Sequence, residues 1–156
     1  MAGKGFGGKT FRHRVCVFFQ WVDTSLVIKE AGVMAHRILL VEDHTASRTT
    51  LALLLETSGY DVDAAANGRE AVELLGEHGY DVIVSDIQMP AMDGFELYRQ
   101  IQQRWPHLAR RVVFMTAHRS DRPQTDPKGS PPPVLSKPFT LQRLREAVAC
   151  VITRAA

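Results

Sequence analysis

Five side chains suited to one reaction stand at equivalent places along this chain. Glu42 and Asp43 follow the apolar run 38–41, Asp86 follows 82–84, Thr116 follows 112–115, and Lys137 follows 134–136. Carboxylates gathered together repel one another, so an oxygen-preferring divalent cation is their natural counter-ion. Mg2+ fits, because it takes few protein carboxylates and keeps positions for water and phosphate oxygens. A carboxylate such as Asp86 can attack phosphorus as a nucleophile, giving an aspartyl phosphate. The remaining charge on that group would be balanced by Mg2+, the Lys137 ammonium and the Thr116 hydroxyl.

This chemistry requires that the fold bring all five residues to one edge, and the hydrophobic pattern supplies such a fold. Short apolar runs predict strands at 37–41, 61–65, 81–85, 112–115 and 134–136. Continuous runs such as Ile38-Leu39-Leu40-Val41 mark strands covered on both faces. Between them lie segments of helical period: 45–58 with Gly59 as its stop, one opening at Asn67 with Glu70 three residues on, and one capped by Asp93 and closed by Trp105-Pro106. Thr140 caps a last helix with Leu141, Leu144, Val148 and Val151 on one face. Strands alternating with helices give an α/β architecture, a doubly wound parallel sheet whose ligands sit beyond the carboxyl ends of its strands. One interval breaks the alternation. Residues 119–133 hold five prolines, and proline inside a helix costs about 3 kcal/mol, so a loop is predicted where a helix is due.

Composition narrows the field further. A chain of 156 residues with 45% hydrophobic content suits one globular domain with its own core. Cys16 and Cys150 form no CxxC and no Cys/His cluster, which argues against a disulfide framework or a zinc site. The longest apolar run, 15–22, is interrupted by Gln20 and is too short for a membrane span. A net charge of +2 is too small to make the molecule a nucleic-acid binder, and residues 36–156 carry no basic stripe. The excess positive charge is confined to residues 1–35, with five Lys/Arg against Asp23 and Glu30, a net of +3, which leaves −1 for residues 36–156. We read 1–35 as an extension, poorly ordered or loosely docked, and 36–156 as the domain. Within the extension, Gly3 to Thr10 satisfies G-x-x-x-x-G-K-T, but only Met1 and Ala2 precede it and a β-branched, aromatic stretch follows. A phosphate-cradling loop needs a strand before it and a helix after it, so nucleotide binding is not expected. The same stretch lacks a clear cleavage site for a signal peptide.

The motifs as they stand are Glu42-Asp43, Asp86-x-x-Met89-Pro90-x-Met92-Asp93-Gly94, Thr116-Ala117 and Lys137-Pro138-Phe139. In this order and at these separations, residues 36 to about 154 resemble the receiver domain of two-component response regulators, the CheY-like superfamily. The resemblance implies a flavodoxin-like five-stranded sheet of order 2-1-3-4-5. It implies that Asp86 accepts a phosphoryl group from a phosphohistidine on a histidine kinase or histidine phosphotransfer protein. Mg2+ would be held by Glu42, Asp43, Asp86 and the backbone carbonyl of Gln88, while Thr116 and Lys137 would contact the phosphate. Gln88 and His118 match positions that tune hydrolysis of the aspartyl phosphate, and the Lys137–Pro138 peptide would be cis. The first helix would be the kinase-docking surface. Such a module is cytoplasmic and not an enzyme, since it catalyses only its own phosphorylation and dephosphorylation.

The sequence departs from the family at two places. The position three residues before the lysine, usually an aromatic ring that swings on activation, is Val134, and the helix before the fifth strand gives way to the Pro-rich interval. The alternative is therefore a phosphorylation-independent interaction module on the same fold. With no output domain after the last helix, the module is expected to act by protein contact, as a phosphate sink, or as part of a hybrid kinase. The sequence does not set its oligomeric state.

Overall fold

A computed structural model describes residues 35–118, 121 and 131–155. The N-terminal extension, with its glycine-rich loop, lies outside the described residues, as does most of the Pro-rich interval. In chain order the elements are β1 (Arg37–Val41), α1 (Thr45–Glu56), β2 (Asp61–Ala65), α2 (Gly68–Glu77), β3 (Val82–Asp86), α3 (Gly94–Arg104), β4 (Val112–Thr116), β5 (Val134–Ser136) and α4 (Leu141–Ala155). All strands are parallel and the sheet runs β2-β1-β3-β4-β5, the predicted order.

The period of two along each strand divides the core between the two faces of the sheet. Ile38 and Leu40 of β1, Val82 and Val84 of β3, and Val113 and Met115 of β4 pack with Leu55 of α1 and Leu144, Val148 and Val151 of α4. Their neighbours Leu39, Val41, Ile83, Val112 and Phe114 point the other way, onto Ala71 and Leu75 of α2 and Leu97, Tyr98 and Ile101 of α3. The rings of Phe95 and Tyr98 meet Phe114 edge-on at centroid distances of 5.4 and 5.6 Å.

The predicted caps form. Asn67 accepts from Glu70 N at 2.9 Å while Glu70 Oε2 reaches back to Ala66 N at 2.7 Å, Asp93 accepts from Glu96 N at 2.7 Å, and Thr140 accepts from Arg143 N at 3.3 Å. Two details differ from the sequence reading. The first helix ends at Glu56 rather than 58, because Gly59, at φ 91°, already takes the left-handed conformation that turns the chain toward β2. Trp105-Pro106 closes α3 but also opens a 3-10 turn, Pro106–Arg111, in which Pro106 at the start needs no N–H partner. Leu108 buries that turn beneath α3.

Candidate functional site

The chain order reverses between β1 and β3, since β2 lies on one side of that pair and β4 on the other. Their carboxyl ends therefore open a crevice, and the loops after β1 and β3 bring Glu42, Asp43 and Asp86 into it. One carboxylate oxygen from each of the three lies within 4.8 Å of the others. Glu42 and Asp86 are buried, at 1% and 7% exposure, while Asp43 faces solvent.

Lys137 answers this charge from the end of β5. Its Nζ donates to Glu42 Oε2 at 2.7 Å and to Asp86 Oδ2. Burial pushes the ammonium toward losing its proton, but the hydrogen bonds and charges of Asp86 and Glu42 more than reverse this and hold its pKa above 10.5. The Lys137–Pro138 peptide is cis, as the resemblance implied. Lys137 N also donates to Thr116 O at 2.7 Å, tying the end of β5 to the end of β4.

Asp86 is oriented through both oxygens: Oδ2 meets Lys137, and Oδ1 accepts from Gln88 N at 3.0 Å. The loop behind it is close-packed. Gly94 N donates to Ile87 O at 2.8 Å, and a Cβ on Gly94 would stand 2.3 Å from Asp86 O, so only glycine lets α3 begin against the Asp86 backbone. Between them Ala91, at φ 68°, forms the centre of a tight turn in which Met92 N donates to Pro90 O at 2.8 Å.

Thr116 is fully buried at the end of β4, and its Oγ1 donates to Asp121 Oδ2 at 2.7 Å while accepting from His118 N at 2.9 Å. Gln88 and His118 are exposed beside the site. Val134 is half-buried against the cluster that contains Phe114.

Sequence reasoning missed three contributors. His44 caps α1, its Nδ1 accepting from Ser47 N at 3.3 Å while the residue stays exposed; histidine is not a typical capping type, so no pattern marks it. Arg48 Nη1 donates to the backbone carbonyls of Glu42 at 2.8 Å and Asp43 at 3.1 Å, bracing the loop that carries both acids. Asp121 sits in the Pro-rich interval, where no pattern marks it.

The geometry invites comparison with known proteins. The sequence profile of the response regulator receiver domain matches residues 38–149. The chain belongs to this family. Among its relatives, the response regulator FleR of Pseudomonas aeruginosa is 35% identical over 117 residues, which is 74% of this chain and 24% of FleR. The response regulator receiver protein CpdR of Brucella abortus is 40% identical over 111 residues, covering 69% of this chain and 89% of CpdR. The chain thus spans about a quarter of one relative and most of the other. Among solved structures, the receiver domain of a sensor histidine kinase from Pseudomonas aeruginosa PAO1 aligns with a TM-score of 0.65 and 29% identity over 76% of this chain and 98% of its own. That structure carries a magnesium ion coordinated in its active-site cleft.

This receiver domain brings Glu42, Asp43, Asp86 and Lys137 into one constellation. The hydroxyl of Thr116 at the adjoining strand end is engaged with Asp121. The donor set suits a hard divalent cation, being three carboxylate oxygens with no thiolate or imidazole among them. Among the described residues no helix is long and apolar enough to cross a membrane.

Proposed function

We propose that this receiver domain takes a phosphoryl group onto Asp86 from a phosphohistidine of a histidine kinase or histidine phosphotransfer protein, and signals by protein contact in the cytoplasm. The observation that carries this reading is the Lys137 ammonium shared between Asp86 and Glu42 inside a cluster of three carboxylates. An Asp86 oxygen attacks phosphorus, the P–O bond forms as the P–N bond breaks, and the electron pair departs on the imidazole nitrogen of the donor. Glu42, Asp43 and Asp86, with the Gln88 carbonyl, would hold Mg2+, which supplies positive charge to the phosphoryl oxygens.

Every other contribution comes from the chain. Gln88 N fixes one carboxylate oxygen of Asp86, so the nucleophile has a single orientation and little rotamer freedom to lose. Lys137, held positive by its two acidic neighbours, is placed to follow the negative charge from the carboxylate to the phosphoryl group. The Thr116 hydroxyl is a second donor at the same edge. Water attack on phosphorus, with the Asp86 carboxylate leaving, reverses the modification, and the side chains of Gln88 and His118 flank that approach. The phosphoryl group enters and leaves on the module's own Asp86 side chain, so the module acts as a switch that catalyses only its own phosphorylation and dephosphorylation.

Exposure to acetyl phosphate with Mg2+, followed by intact-protein mass measurement, tests the reading. A gain of one phosphoryl group is expected, absent with EDTA and absent in Asp86→Asn. An adduct that persists in Asp86→Asn, or none in the wild type, would overturn it.

A further inference from the structure

Asp121 contributes a carboxylate that the phosphoacceptor reading does not use. Its Oδ2 accepts from Thr116 Oγ1 at 2.7 Å and lies 3.5 Å from Gln88 Nε2, and its own N–H donates to His118 O at 3.1 Å. It therefore touches the three residues that flank the phosphoryl position, while Asp86 and Lys137 are bonded to each other beside them. A hydroxyl has one proton to give. While Thr116 donates to Asp121, in a hydrogen bond strengthened by the acceptor's charge, that proton is not available to a phosphoryl oxygen.

We propose that Asp121 is a negative positioning residue for the phosphorylation of Asp86: it competes with the phosphoryl group for the Thr116 hydroxyl and so biases the receiver toward its unphosphorylated state. The inference rests on the phosphoacceptor reading and adds its regulation. Phosphorylation requires Thr116 to exchange one anionic acceptor for another. The exchange is opposed by the strength of the existing bond, 2.7 Å to a carboxylate, since the other acceptor within reach of the Thr116 hydroxyl, His118 O, is neutral and stands at 3.2 Å. Asp121 thereby sets how far the equilibrium lies toward the state in which Thr116 engages the phosphoryl group. The carboxylate also adds negative charge near three others, which opposes an incoming anion at longer range. The two effects are separable. Competition acts only through the Thr116 proton, whereas repulsion acts whether or not the hydroxyl is there.

The test is titration of the full chain with beryllium fluoride, a phosphoryl mimic, in the presence of Mg2+. It uses wild type, Asp121→Ala, Thr116→Val and the double variant; valine keeps the buried shape of Thr116 and removes its hydroxyl. Asp121→Ala is expected to bind the mimic about three- to tenfold more tightly than wild type. In the Thr116→Val background the same change is expected to alter affinity by less than about twofold. The lifetime of the aspartyl phosphate, followed by intact mass, is expected to lengthen in Asp121→Ala alone. Equal affinity in wild type and Asp121→Ala would overturn the proposal. So would an equal gain in both backgrounds, which is the mark of simple repulsion. A wild type that binds no beryllium fluoride removes the phosphoacceptor reading itself, and this inference with it. That outcome is distinguishable, because it appears before any variant is compared.

Discussion

At the amino-terminal edge of the sheet, Asp61, Asp63 and Asp81 meet Arg37, Arg111 and His36; at the carboxyl-terminal edge, Glu42 and Asp86 share Lys137, and Asp43 has no ion pair among the described residues. The first network sets two guanidiniums and an imidazole against three carboxylates, each of which has at least one such contact. Arg37 Nη2 reaches Asp63 at 2.8 Å and its guanidinium stacks over Tyr80 at 5.3 Å. Its buried Nε stands 3.7 Å from Asp61, an ion contact rather than a hydrogen bond. Tyr80 donates to Asp63 at 2.7 Å, and Asp81 receives Arg37 N at 2.9 Å and Arg111 at 3.4 Å. The second network has a surplus of carboxylate, and even Arg48 spends its guanidinium on backbone carbonyls there rather than on the acids. One end of the sheet uses charge to close the fold. The other holds charge in excess, which favours a cation or an electrophile.

This contrast can be broken most severely at Lys137. Lys137→Met leaves two buried carboxylates facing each other without a cation and is expected to cost about 3 kcal/mol in urea denaturation without divalent ions. A smaller and more telling comparison sets one acid at each end against the other. Asp81→Ala removes an acceptor for a backbone N–H and two ion contacts and is expected to destabilise by about 1 kcal/mol. Asp86→Asn relieves repulsion in the surplus and is expected to stabilise the cation-free fold by about 1 kcal/mol, with Glu42 still paired to Lys137. If both substitutions move stability in the same direction, the two edges do not differ in the way described. Millimolar Mg2+ is expected to raise the melting temperature of the wild type and to leave that of Asp86→Asn nearly unchanged, as differential scanning fluorimetry would read.

The smallest effect at ordinary pH, and the one that separates the two ends on a single axis, is alkaline. Burial, then the hydrogen bond to Asp63, pushes the Tyr80 phenol well above 10.0, and at the other edge the acidic partners of Lys137 outweigh its burial and raise it above 10.5. Both groups hold their protons more tightly in the folded state than in the unfolded one. The stability they contribute is complete below those ordinary values and is lost as pH rises through the folded ones. Denaturation curves between about pH 9 and pH 11 are expected to show falling stability in the wild type, with a shallower fall in Tyr80→Phe and in Lys137→Met.

Much of this molecule was legible in its sequence because its chemistry sits where the pattern changes. Apolar runs that stop at Val41, Val84 and Met115 announce strand ends, and the residues that follow them are forced to one edge by parallel topology alone. The caps Asn67, Asp93 and Thr140 were legible for the same local reason. What escaped the reading depends on contacts that local patterns do not encode. His44 caps a helix through an imidazole nitrogen, and Arg48 braces a loop by reaching back six residues to a carbonyl. The amino-edge network joins residues from four strand starts. Asp121 meets Thr116 from a stretch whose prolines advertise only the absence of a helix. Val134 was recognised as a departure, and its half-buried place against the Phe114 cluster gives packing where a ring was due.

On the proposed function, the surplus end of the sheet accepts phosphorus at one side chain, the carboxylate of Asp86. Borohydride reduces an aspartyl phosphate to homoserine, so treating the acetyl phosphate-loaded protein with borohydride and sequencing its peptides by mass spectrometry locates the modification directly. Homoserine at position 86, with Glu42 and Asp43 unaltered, is the expected result. Reduction at another acid, or phosphate retained on a histidine or threonine with Asp86 intact, would contradict the account.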